Sequence, residues 1–140
     1  MGEDMNRTEI RELSFELLYE IEIQKDSSKE HINLFIENFE IKDQKAIDYI
    51  NEVTSGIKSN EEMITELIKD NLKKDWDISR ISKVNIAILK LAIYEMVISK
   101  IPYKVVINEA VELAKKFSDD TSQSFVNGVL ASVVKQQNIT

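Results

Sequence analysis

Few side chains in this sequence could do acid–base, nucleophilic or metal chemistry. There is one histidine, His31, and no cysteine. A lone imidazole on a short acidic stretch has no second ligand at metal-binding spacing and no nucleophile beside it, so His31 reads as a surface residue. Glu109 and Glu112 stand three apart and share a helix face. Di-metal helical bundles need Glu-x-x-His pairs, and none occurs here, so these acids read as partners for Lys115 and Lys116. There is no H-E-x-x-H, no phosphate-binding glycine loop and no dinucleotide fingerprint. Without cysteine, disulfides, thiol catalysis and thiolate-bound metals are excluded. No enzyme and no cofactor is expected. Binding is what remains.

The charge is unevenly spread. Of 18 basic and 25 acidic side chains, residues 1–70 carry 8 and 18, and residues 71–140 carry 10 and 7. An overall charge of −7 argues against a generic nucleic-acid binder, but the basic second half can carry a local patch on an acidic body. The N-terminal "MGEDMNRTEIREL" is charged and lacks the apolar stretch of a signal peptide. The longest apolar segment is interrupted by Lys90 and Glu95, so no membrane span is expected, and the chain reads as cytoplasmic. Met5 is a second candidate start, which would make Met1–Asp4 an addition ahead of it.

The elements that must position any site are helices. Three glycines and one proline in 140 residues leave too little punctuation for a multi-stranded β domain. Ile10, Leu13, Leu17, Leu18 and Ile21 form a stripe of period 3.6 that Asn6 or Thr8 can cap. After a turn at 25–30, Ile32, Phe35, Ile36 and Phe39 form a second stripe. Asp43 can cap a third helix with Ile47, Ile50, Val53 and Ile57 inward. Asn60 with Glu61 and Glu62 opens a fourth with Met63, Ile64, Leu67 and Ile68 as its apolar face. "DWDISRIS" at 75–82 is a short element holding the only tryptophan. From Val84 to Ile98 twelve of fifteen residues are apolar. The exceptions, Asn85, Lys90 and Glu95, are five apart, hence about 140° from one another round a helix, and share no face. A helix of roughly 82–99 with no polar side must lie at the centre. Ile101-Pro102 ends it. Val106, Ala110, Leu113, Ala114 and Phe117 mark a further helix.

"FVNGVL" at 125–130 then poses a choice, because Asn-Gly is a hairpin-turn dipeptide. The residues ahead of it, "TSQS", show no strand-like alternation. As a helix, Phe125, Val126, Val129, Leu130, Val133 and Val134 fill one half-turn arc. Helix is the consistent reading. Gly128 lies on the far side, either as a plain exposed glycine or because a backbone or ligand approaches there. The fold class is therefore all-α, about seven helices in one domain at 1–140, with helical subdomains at about 5–72 and 76–138.

The stretches "RELSFELLYE", "IAILKLAIYEM" and "IPYKVVINEAVELAKKFSDDTSQSFVNGVL" resemble, in order, the NusB family of transcription antitermination factors. The resemblance covers most of the chain. It implies a compact seven-helix fold, no catalysis, and binding of boxA, a short single-stranded RNA element in ribosomal RNA leaders. It implies a protein partner, NusE, a small-subunit ribosomal protein, and loading onto the elongating RNA polymerase complex to suppress termination. For RNA it points to a basic N-terminal segment, here Arg7 and Arg11 with Glu9 and Glu12 interposed, and to Phe125 of "FVNG". Lys115 and Lys116 lead into that segment as candidate phosphate contacts. Thr121 stands where the family often has an acid, and a neutral residue there favours RNA. For the partner it points to Tyr19 of the first helix and to Asn85, which takes the place of an acid opening the central helix. Two other readings stay open: a NusB-like module of an rRNA cytosine methyltransferase, which would need a downstream catalytic domain, and a helical adaptor without RNA affinity. A monomer is expected.

Overall fold

The computed structural model describes residues 4–140, so the segment ahead of Met5 lies mostly outside the described residues. Among them the chain forms seven α-helices and no strand: α1 (Arg7–Gln24), α2 (Lys29–Asn38), α3 (Gln44–Ser59), α4 (Glu61–Asp70), α5 (Lys83–Ile93), α6 (Tyr103–Phe117) and α7 (Ser122–Gln136). The all-α expectation holds. A single 3₁₀ turn, Ile78–Arg80, precedes α5, and a π-helical segment, Tyr94–Ile98, continues it. The expected central helix is thus one α-helix finished by a π-turn.

Helix starts follow the capping chemistry. Asn6 accepts from the Glu9 amide at 2.8 Å while Glu9 accepts from the Asn6 amide at 2.9 Å, a complete capping box. Asp43 caps α3 through the Lys45 amide. The sequence reading missed Ser28, whose hydroxyl accepts from the His31 amide and starts α2. Asn60 precedes α4 as expected, but its side chain donates backwards to the Gly56 carbonyl at 2.7 Å and so closes α3 instead.

α5 is the axis of the main core. Ile86 to Ile93 are all buried, and Ile88, Leu89 and Ile93 have no exposed surface. Phe15 of α1, Ile64 and Ile68 of α4, Val106 and Ala110 of α6, and Val126 and Leu130 of α7 close round it. This cluster draws on both sides of the 72–76 segment. A smaller cluster joins Leu17, Ile32, Phe35, Ile41, Ala46 and Ile50 of α1–α3. Two predicted inward residues face out. Met63 is 38% exposed, and Phe39 is 45% exposed because α2 ends at Asn38 and leaves its ring lying on Phe35.

The three polar interruptions of α5 and its π-helical continuation each point to a different neighbour, as their spacing of about 140° requires. Asn85 donates to Ser122 of α7 at 2.9 Å. Lys90 is gripped by Glu22 of α1 and Glu61 of α4, each at 2.6 Å. Glu95, 1% exposed, receives Arg11 Nε from α1 and the Tyr49 hydroxyl from α3. A buried polar group is tolerable only when partnered. These pairs therefore fix the rotation of α5 against four helices, which a purely apolar surface would leave less defined.

Gly56 of α3 makes one close approach possible. A Cβ there would lie 2.2 Å from the Tyr94 ring, so only glycine lets this buried ring pass beneath α3.

Candidate nucleic-acid interface

The first two turns of α1 lie along the second half of α6. Thr8 donates to Glu109 at 3.0 Å and Arg11 Nη1 donates to the same carboxylate at 3.0 Å. One turn further on, Lys116 of α6 pairs with Glu12 of α1 at 2.8 Å. Between the helices runs a cleft of about 370 Å³ lined by Thr8, Arg11 and Glu12 of α1 and by Glu109, Glu112, Leu113, Lys115 and Lys116 of α6. Arg7 at the start of α1 is exposed. The next residue, Thr8, lines the same cleft as the two lysines, a grouping that sequence spacing alone does not reveal.

Arg11, expected beside Arg7 as an RNA contact, is placed differently. It is 4% exposed, and its guanidinium is spent on Glu95 and Glu109. Burial works against its charge, and the Glu95 carboxylate outweighs that, so its pKa is raised. Tyr49, buried against the same carboxylate, has its hydroxyl pKa pushed up by burial first and by the Glu95 charge second. Arg11 is a structural cation. Glu109 is likewise turned to Arg11 and Thr8, not to the lysines of its own helix.

The chain turns from α6 into α7 through residues 118–121. Asp119 organises this corner. It accepts from the Ser122 hydroxyl at 2.8 Å, the Thr121 hydroxyl at 2.9 Å and the Ser122 amide at 3.0 Å. These bonds, the Ser122 hydroxyl foremost, hold its pKa below the usual carboxylate value. Lys115, Lys116 and Thr121 are exposed on the approach, and Phe125 follows in the first turn of α7, half-buried. Phe125 rests on Trp76, with ring centroids 5.6 Å apart and planes 25° apart. Trp76 itself is 49% exposed. The sequence reading left it inside a short element; its being the only tryptophan was the available signal. Asn127 and Gly128 are also exposed, and a Cβ at Gly128 would meet nothing within 4 Å. No other described residue presses on that glycine.

On another part of the surface, Tyr19 is half-buried and stacks on Phe15, which in turn meets Phe117. Asn85 is not presented to solvent. It is 8% exposed, its amide donates to Ser122, and its Oδ1 has no donor among the described residues. His31 is a further correction: it is 8% exposed, bridging Asp26 and Glu20. The α2 cap at Ser28 folds the 25–28 turn back and closes the ring in. Among the described residues no cluster of acids and histidine could hold a metal, and no helix is long and apolar enough to cross a membrane.

The family model described as the NusB family matches residues 8–135. The chain belongs to the NusB family. It is 48% identical over 132 residues to the transcription antitermination protein NusB of Acetivibrio thermocellus, covering 94% of this chain and 90% of that protein. Among solved structures, T. maritima NusB superposes with a TM-score of 0.83 at 33% identity, over 96% of this chain and 94% of that one. A structure of the antitermination factors NusB and NusE in complex with double-stranded RNA superposes with a TM-score of 0.84 at 27% identity, over 93% and 96%.

Proposed function

We propose that this protein is a non-catalytic transcription antitermination factor of the cytoplasm. It binds boxA RNA of ribosomal RNA leaders together with NusE and helps RNA polymerase resist termination. The observation that carries this reading is the structural match, over 93% of this chain, to NusB in one complex with NusE and double-stranded RNA. Arg7, Lys115, Lys116, Thr121 and Phe125 are the residues assigned to RNA. They stand at the start of α1, in the last turn of α6, and at the corner and first turn of α7. Arg11 supports them from below by fastening α1 to α5 and α6. Tyr19 and the start of α5 near Asn85 are assigned to NusE, with Asn85 holding that helix end to α7. The acidic N-terminal half attracts a basic ribosomal protein by its field.

The test is single-round transcription through a terminator placed behind a boxA leader. Read-through should rise when this chain and NusE are both added. It should not rise with a scrambled boxA, and Tyr19→Ala should abolish the rise by weakening NusE more than tenfold in calorimetry. Equal read-through on the scrambled leader would contradict the reading.

A further inference from the structure

The segment linking α4 to α5 takes no part in the assignment above, yet it carries the most conspicuous exposed side chain of the molecule. Trp76 leaves 49% of its surface in water while one side lies against Phe125. Aromatic rings of this size usually bury 150–250 Å². Leaving half of one exposed forgoes the stabilisation that burial would give. Lys73, Lys74 and Arg80 stand within four residues of it in the chain, all exposed, and they form no ion pair among the described residues. A depression of about 390 Å³ beside the indole is lined by Lys69, Leu72, Lys74, Asp75, Asp77 and Ile78. One nearby acid is already engaged, since Asp77 accepts from the Ser79 amide at 3.0 Å. Gly128, one turn along α7 from Phe125, leaves the helix surface open on that side.

We propose that Trp76 and Phe125 form a two-ring platform on which bases of single-stranded RNA stack, with Lys73 and Lys74 holding the adjoining phosphates. This rests on the RNA reading above and extends its surface beyond the α1–α6 cleft to the 73–80 segment. Stacking tolerates any base because every base has a π-face, and unpaired bases can reach a protein ring where duplex bases cannot. The charge fits the same occupant. Of the charged residues from 69 to 83, five are basic and three acidic, in a chain whose overall charge is −7. A basic ribosomal protein would be repelled here.

Being the only tryptophan, Trp76 reports on its own surroundings. Its emission is followed while boxA RNA is titrated into the chain with NusE bound. A Trp76→Phe complex measured in parallel subtracts any emission from NusE. Emission should be quenched in step with the anisotropy of the end-labelled RNA, and a duplex of the same sequence should give no quench. Trp76→Ala should weaken RNA binding roughly tenfold, within the range for base–aromatic stacking, and Trp76→Phe should restore most of it. Lys73→Gln with Lys74→Gln should flatten the salt dependence by about 0.7 per lost contact. NusE affinity without RNA should be unchanged in all variants. RNA binding by the wild type without quenching, or an unaltered salt slope in the double lysine variant, would overturn the platform and leave the RNA reading standing. Quenching by the duplex would overturn the single-strand assignment. Failure of the wild type with NusE to bind boxA RNA at all would overturn both.

Discussion

Arg7 and Arg11 are one helical turn apart in the sequence and opposite in circumstance. Arg7 is in water; Arg11 is sealed between Glu95 and Glu109. Removing one member of a buried ion pair strands the other, which typically costs about 3–5 kcal/mol. Arg11→Ala should therefore lower stability by about that much in urea unfolding, with Arg7→Ala unchanged within about 0.5 kcal/mol. Equal stabilities would show that Arg11 is not held as described. The i, i+4 spacing was legible in the sequence, but which arginine turns inward was not. Its partners lie 84 and 98 residues away, beyond any local pattern. Two glycines, one in open space and one against a ring, give a matched contrast. Gly128→Ala adds a side chain in open space, so it should gain up to about 1 kcal/mol of helix propensity. Gly56→Ala would drive a Cβ into Tyr94, so it should lose about 1–3 kcal/mol as overpacked cores do. Thermal melts of the pair check both signs, and a gain at Gly56 would contradict the close approach.

Among the elements, α5 was the most legible. A long run with no polar side has only one place to go, and Ile88 and Leu89 are indeed without exposed surface. Ile88→Ala or Leu89→Ala should cost about 2–5 kcal/mol in denaturant unfolding. Wild-type midpoints for both would contradict a central α5. The three polar interruptions could be placed on three faces, yet their partners could not be named, because that choice depends on how α1, α3, α4 and α7 are docked. The junction of α1 and α2 was misjudged for the same reason. His31 looked superficial on a polar stretch, but the turn at 25–28 folds its ring against Glu20 and the Asp26 carbonyl. Both ring nitrogens face acceptors, which suits the doubly protonated ring. The Glu20 hydrogen bond is the largest cause of its raised pKa. The stabilising contribution is then fully present below the unfolded value of about 6.5 and is lost as pH rises through the higher folded value. Urea midpoints of the wild type should fall across that window relative to His31→Gln. Parallel pH profiles would show that the imidazolium contributes nothing.

At the scale of the whole molecule, charge and fold pull in different directions. The acidic body repels phosphates, while Lys115 and Lys116 line the α1–α6 cleft and Arg7 is exposed at the start of α1. Lys116 is partly neutralised by Glu12 at 2.8 Å, so few free cations remain there. The sequence halves announced this imbalance, and the family motifs announced its purpose. The assembly of the surface from α1, α6 and α7 could be seen only once those helices were packed. A basic partner would add the charge that the chain lacks. The decisive measurement is therefore a boxA RNA titration at several salt concentrations, with and without NusE. Binding should be weak alone, with a slope of about −0.7 per phosphate contact and few contacts, and at least tenfold tighter with NusE present. Tight binding by the chain alone, or no gain on adding NusE, would contradict the claim that the two proteins complete one RNA-binding surface.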